Sequence, residues 1–296
     1  MRYIEQKMKL ARAKFSLKII FIFLSVFSLF AFSDGAFGQY LNEWRFQFYL
    51  LGLWGILYAL NYRFFLYSFM FFIIWVLNFF VLSSSVAILF APSERPSDQK
   101  MSISLQTEPK NWLEIFEAAE DTNILAVINP EIQEERKTRT PENLFLSEGN
   151  AKGSFIMTDT PQHAAGKINF APNNSGVFAK TAIKEKEYMT IMFDWSDLSR
   201  KQKNNAFKIL NKFVSAQDCP IIIMGDFGEV AWNKEFSEFL SANGLEIKNP
   251  LITSFKNLFM PVTEYVVGYH NLKFEEDDFI KTENSHNKIW QCRLKI

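Results

Sequence analysis

The chain opens with three long apolar stretches and then changes to short apolar runs separated by polar ones. The first charge-free run is Ile19 to Ser33, the second lies between Arg45 and Arg63 and begins at Phe46, and the third begins at Phe64 and reaches Pro92. A bilayer core asks for about 20 apolar residues per helix, and the first run reaches that length once Phe15 to Leu17 are counted and Lys18 snorkels to the headgroups. Three such runs, rich in Phe, Leu, Trp and Tyr, would leave a soluble core no surface for water. The pattern therefore predicts a three-span transmembrane anchor over residues 19–91 behind a basic tail, 1–18. A cleaved signal peptide would also begin with basic residues and an apolar run, but Ser33 to Gly38 offers no convincing small-x-small cleavage site.

After the anchor, Pro92 to Lys100 is polar and proline-bearing and reads as a linker, 92–100. Residues 101–296 then alternate helix and strand patterns. Asn111 followed by Glu114 and the apolar set Trp112, Leu113, Ile115 and Phe116 reads as a capped amphipathic helix. Ile124 to Ile128, Tyr188 to Phe193 and Pro220 to Met224 read as buried strands. Between the last two, Ala206, Ile209, Leu210, Phe213 and Val214 recur at helical spacing, with Lys203, Lys208 and Lys212 off that stripe. Asn233 opens a further helix with Phe236, Phe239 and Leu240 inward and Gly244 at its end. The prediction is a mixed α/β layered domain.

Charge sets the orientation. Six basic residues, Arg2, Lys7, Lys9, Arg12, Lys14 and Lys18, precede the first span against one acidic residue, Glu5, which places the N-terminus in the cytoplasm. Three spans then put everything after Pro92 outside, in a bacterium the periplasmic face of the inner membrane, with Arg63 inside and Asp34 and Glu43 in the outer loop. The net charge of zero hides an asymmetry: residues 1–90 hold eight Lys and Arg against three Asp and Glu, leaving 24 against 29 in the rest. An acidic domain argues against a nucleic-acid partner. Glu275, Glu276, Asp277 and Asp278 read as a solvated loop, since the spacing of a calcium loop is absent. The two cysteines, Cys219 and Cys292, lie in strand-like runs and leave both a bridge and buried free thiols open. The spans carry no ionisable group of the kind that marks a transporter or channel, and Asn78 reads as an interhelical hydrogen-bond group.

The run Pro220 to Asn249, PIIIMGDFGEVAWNKEFSEFLSANGLEIKN, resembles the strand, Gly-Asp-Phe-Asn turn and helix of the endonuclease/exonuclease/phosphatase superfamily, and Ser285-His286 resembles its C-terminal motif. The anchor is similar to that of a bacterial membrane-tethered branch, including an Asn in the last span like Asn78. The resemblance implies a four-layer α/β sandwich of two mixed sheets flanked by helices. It also implies a Mg²⁺ ion held by a strand-end Glu and other carboxylates, a middle His and an Asn on the scissile phosphate, and an Asp-His pair that polarises water.

Several of these groups are missing. Asp226 matches the Asp of the turn, but the Asn position is Gly228. The metal Glu is expected at the end of Ile124 to Ile128, where Asn129-Pro130 stands with Glu131 beyond. The middle His position reads Phe193-Asp194, and the early-strand Asn, expected near Gln106 or Thr107, is not evident. The terminal Ser-Asp-His becomes Asn284-Ser285-His286, and an upstream Asp-His becomes Tyr269-His270. Asp226, His286 and His270 thus remain as remnants of the catalytic set, with Asp226 also the remnant metal ligand. Asp226 is expected to accept backbone amides of the turn Gly225 to Glu229, and His163 to lie exposed in a polar loop.

Two functions follow from this reading. One is a membrane-anchored pseudoenzyme without cofactor that binds the lipid bilayer through its spans and a protein partner in a cell-envelope complex. The alternative is an active Mg²⁺-dependent phosphodiesterase, phosphatase or nuclease that uses Asp226 and His286.

Overall fold

The structure, a computed structural model, describes residues 2–33, 36–89, 100–120, 122–131, 144–147, 149–150, 152–230, 233–247, 264–269, 273–274, 280–284 and 287–295. It forms two compact units, one built on the N-terminal helices and one on two β-sheets.

The apolar runs fold as helices: α1 (Arg2–Phe30), a short α2 (Ala36–Glu43), α3 (Arg45–Asn61) and α4 (Phe65–Leu89). Two stretches, Lys7–Phe30 and Phe65–Leu82, are long and apolar enough to cross a membrane by length and composition. The expected middle span is α3, which has 17 residues. At 1.5 Å per residue it rises about 25 Å, less than the ~30 Å of a hydrocarbon core. The two longer stretches meet the length requirement in full, α3 falls at the short end of the range for a span, and the expected outer loop carries α2. Leu17, Leu24, Phe48, Phe71 and Ile74 pack inside the bundle, whereas Phe15, Ile22, Leu29, Phe65, Leu66 and Phe69 are each at least 60% exposed. Asn78 is fully buried, and its Nδ2 donates to Ser28 Oγ of α1 at 3.0 Å, the interhelical bond expected of it.

The second unit begins with β1 (Lys100–Thr107), α5 (Trp112–Glu120) and β2 (Ile124–Ile128), followed by β3 (Phe145–Leu146) and β4 (Phe155–Thr158). Next come β5 (Gln162–Ala171), β6 (Asn174–Ile183), β7 (Lys186–Asp194), α6 (Arg200–Ser215), β8 (Ile221–Asp226), α7 (Lys234–Asn243) and β9 (Leu245–Ile247). The described chain closes with β10 (Glu264–Tyr269), β11 (Lys273–Phe274), β12 (Ile280–Asn284) and β13 (Asn287–Lys295). Among the described residues one sheet has the order β11-β13-β1-β2-β4-β3, with β12 on β13, and the other β5-β6-β7-β8-β10-β9. Each sheet is antiparallel except for one parallel pair, β1 with β2 and β7 with β8. The sheets meet through Ile103, Leu105, Ala126, Val177, Met192 and Met224. Ile115 and Ala119 of α5 cover Leu125 and Val127 on the outside of the first sheet. On the second, Phe213 of α6 packs on Phe178, and Phe207 packs on Phe236 and Phe239 of α7. These are two mixed sheets flanked by helices, the expected architecture.

The local expectations hold with exceptions. Asn111 Oδ1 accepts the Glu114 amide at 3.0 Å and starts α5, but Leu113 is 66% exposed rather than part of the apolar face. His163 is exposed, yet it sits in strand β5 and not in a loop. Cys219 is a free thiol.

Candidate functional site

The parallel strands β7 and β8 end side by side, with Phe193 opposite Gly225 and Asp194 opposite Asp226. Their close approach depends on Gly225, where an added Cβ would lie 2.1 Å from the Phe193 carbonyl oxygen. Beyond that point the chain turns, and Gly228 adopts φ 60°, a left-handed conformation. Asp226 Oδ1 accepts the Gly228 amide at 2.7 Å, the turn bond expected from the sequence. The turn is covered by Lys203 of α6, whose Nζ donates to the Gly228 carbonyl at 2.5 Å and lies 3.8 Å from the buried Glu229 carboxylate. A Cβ on Gly228 would fall 2.5 Å from that Nζ. The ammonium end thus fills the space that a larger side chain at this position would need.

Asp194 is the hub of a second group and is only 5% exposed. Its Oδ1 accepts the Ser196 amide at 2.9 Å and the Ser196 hydroxyl at 2.5 Å. Its Oδ2 accepts Asn129 Nδ2 at 2.5 Å and faces Lys152 Nζ at 3.4 Å. Lys152 Nζ also reaches Asp197 Oδ2 at 2.6 Å. Burial pushes the Asp194 carboxyl up, but Ser196, Asn129 and Lys152 together hold it below its ordinary value. Burial likewise lowers Lys152, and the bonds to Asp197 and Asp194 outweigh it, so the ammonium is held above its ordinary value.

Asn129 follows β2 directly and takes φ 47°, a conformation Asn tolerates better than most residues. Its amide nitrogen donates to Ser154 Oγ at 3.0 Å, and Ser154 Oγ lies 3.4 Å from Asn129 Oδ1. Asn174, at the start of β6, donates from Nδ2 to the Asp194 carbonyl at 2.6 Å, while its Oδ1 is buried without a partner. Asn150, Lys152, Asn173, Asn174, Ser175 and Asp194 line a shallow surface concavity that encloses no room for a ligand. Gln106, near the expected early-strand Asn, is fully buried with neither amide atom bonded.

The donor set fits Mg²⁺ poorly. Mg²⁺ asks for near-octahedral oxygen ligands. Among the described residues no three His, Cys, Asp or Glu side chains come together, and both Asp194 oxygens are occupied by protein donors. His270, Ser285 and His286 lie outside the described residues, as do Glu275, Glu276, Asp277 and Asp278. The structure therefore brings Asn129 and Asp194 together, and sets Asp226 beside Asp194 at the ends of adjacent strands. Sequence reasoning missed Lys152, Ser154 and Ser196, in short polar connections, and Asn174, at the start of β6, none of which carries a motif.

Neither a protein-family model nor a curated protein sequence matches the chain. Solved structures do match in shape. An endonuclease/exonuclease/phosphatase from Bacteroides vulgatus superposes with TM-score 0.51 at 8% identity, covering 67% of this chain and all of that one. A functionally unknown conserved protein from Enterococcus faecalis gives 0.51 at 9% identity over 66% of this chain and 99% of its own. D. rerio TDP2, complexed with a single-strand DNA product, gives 0.50 at 10% identity over 67% of this chain and 100% of its own. At these identities the likeness establishes the endonuclease/exonuclease/phosphatase fold, one shared by phosphatases and nucleases, and nothing finer.

Proposed function

We propose that this chain is a membrane-anchored, periplasm-facing protein of the endonuclease/exonuclease/phosphatase fold that has lost catalysis and serves as a binding or scaffolding component of the cell envelope. The observation that carries the reading is the 2.5 Å bond from Asn129 Nδ2 to Asp194 Oδ2. At the positions where the resemblance implies a metal-binding Glu and a phosphate-contacting His, a neutral amide and a carboxylate bind one another. Both Asp194 oxygens are thereby engaged by protein donors rather than open to a metal. The anchoring is supported by the two long apolar helices and by the basic tail before the first, and the periplasmic side of the second unit requires that α3 cross the membrane as well. The acidic balance of the second unit speaks for a protein partner over nucleic acid.

The test uses the full chain in a neutral detergent. Calorimetry at millimolar Mg²⁺ is expected to show no saturable binding, and a chromogenic phosphodiester no turnover. Turnover that Asp226→Ala abolishes would overturn the reading in favour of the Mg²⁺-dependent hydrolase. Orientation is tested separately by reporter fusions, expected to report the cytoplasm at Arg63 and the periplasm after Lys100; the reverse pattern would mean two spans and a cytoplasmic second unit.

A further inference from the structure

Between β3 and β4, Asn150 shapes a turn that carries one ammonium group to the ends of the sheets. Asn150 Oδ1 accepts the backbone amides of Lys152 and Ser154, each at 3.0 Å, and the Gly153 amide donates to the Asn150 carbonyl at 3.0 Å. Gly153 takes a left-handed φ of 79° in this turn. Asn150 Nδ2 donates to the Ser175 carbonyl of β6 at 2.9 Å, which fixes the turn of the first sheet against a strand of the second. The Lys152 side chain thereby reaches the end of β7, where its Nζ lies 2.6 Å from Asp197 Oδ2 and 3.4 Å from Asp194 Oδ2.

Two carboxylates therefore converge on one nitrogen. Asp194 is 5% exposed, and a buried carboxylate keeps its charge only where a cation or several donors accompany it. A further oxygen belongs to the same group. Asn174 lines the concavity together with Lys152 and Asp194, and it is 8% exposed with its Oδ1 unpartnered. That amide oxygen can only accept, so it adds to the demand of the carboxylates for a positive neighbour. Carboxylate and amide oxygens around a positive centre are the surroundings of a hard cation. Here the positive centre is a side chain of the protein itself.

We infer that the Lys152 ammonium is a resident cation, which takes the place of a divalent ion among Asp194, Asp197 and Asn174 and closes that place to metals. A lysine suits the part, because its head is a compact point charge on a flexible stem. Lys152 can play it only if the strand ends hold no metal, as proposed above. The electrostatic balance of the strand ends then depends on no metal supply, and a chelator leaves it untouched.

The experiment titrates Mn²⁺ into the full chain in a neutral detergent, counts bound ion by loss of the free Mn²⁺ EPR signal, and follows melting in parallel. Wild type is expected to show no saturable binding at millimolar Mn²⁺ and no change of Tm with EDTA. Lys152→Ala removes the charge and releases the space of the side chain. It should bind about one Mn²⁺ per chain, at least about tenfold more tightly than any binding by wild type. Lys152→Arg keeps the charge and should stay as closed as wild type, and Lys152→Gln replaces the Ala variant if that one does not fold. Adding Asp194→Asn to Lys152→Ala should cancel the gain. No gain on loss of the charge, a gain that survives Asp194→Asn, or an equal gain in Lys152→Arg overturns the resident cation and leaves the loss of catalysis standing. Wild type that binds Mn²⁺ as tightly as Lys152→Ala also overturns it; phosphodiester turnover by that metal-loaded wild type overturns the proposed function as well.

Discussion

Asn129 donates its side-chain amide to the Asp194 carboxylate at 2.5 Å, and this bond ties the end of β2 in one sheet to the end of β7 in the other. Here the ends are cross-linked by their own side chains, and the Lys152 ammonium supplies the local positive charge. The arrangement holds the two sheets together while withdrawing two oxygen-bearing groups from ligand chemistry.

The cross-link should be measurable as a coupling energy. Asp194→Ala leaves the Ser196 and Asn129 donors without their acceptor and should cost about 1–3 kcal/mol, while Lys152, 34% exposed, keeps Asp197 and water. Asn129→Ala should cost about 1 kcal/mol. In urea unfolding the double variant should be about 1–2 kcal/mol less destabilised than the sum of the singles. Strict additivity would mean that the bond adds nothing to stability.

Asp194 also predicts an acid limb. Its folded-state carboxyl is held below the ordinary 3.8, so the unfolded chain takes up a proton first as pH falls. The stabilisation is then fully present above about pH 4–5, declines as pH drops below the ordinary value, and is lost once the folded carboxyl protonates. Melting followed from pH 6 to pH 2 should fall more steeply for wild type than for Asp194→Asn. Parallel curves would assign the acid limb to other carboxylates.

The fold was legible where pattern follows from burial. Ile124 to Ile128 is buried along its whole length, and Phe236, Phe239 and Leu240 are the buried face of α7, because helix and strand periods leave their mark in the apolar positions. The hairpin of β5 and β6 was not legible: β5 is an edge strand whose residues are mostly Ala, Gly and polar groups, and its pairing with β6 is what makes it a strand. At the site, the sequence singled out the positions of Asn129, Asp194, Asp226 and Gly228. The bond between Asn129 and Asp194 was not legible, because residues 129 and 194 meet only when the two sheets stack. Lys152 and Asn174 were invisible for the same reason.

Gln106 offers a stabilising substitution. Its side chain is 0% exposed and both amide atoms lack partners, so the folded state bears the desolvation of an amide with no bond in return. Gln106→Met keeps the length and removes the polar atoms, and should stabilise the chain by about 1–3 kcal/mol, or roughly 2–4 °C of Tm for each kcal/mol in a domain of this size. A loss of stability would mean that the amide is bonded through water.

Asp226 separates structure from catalysis. Its Oδ1 satisfies the Gly228 amide at 2.7 Å, and Asp226→Ala should cost about 1–3 kcal/mol by leaving that donor unpaired. The reverse experiment, Gly228→Asn, restores the side chain that the hydrolases carry at this turn. Asn accepts the left-handed φ of 60°, but its Cβ would lie 2.5 Å from Lys203 Nζ, so Lys203 must leave the Gly228 carbonyl and Glu229. Loss of about 1 kcal/mol and no gain of phosphodiester turnover are expected, because the strand-end Asn129 and Asp194 remain bonded to each other. Melting and turnover measured on both variants decide the matter. If Asp226→Ala left melting unchanged yet abolished the protein's role in cells, the carboxylate would be a functional group, and the hydrolase reading should replace the scaffold one.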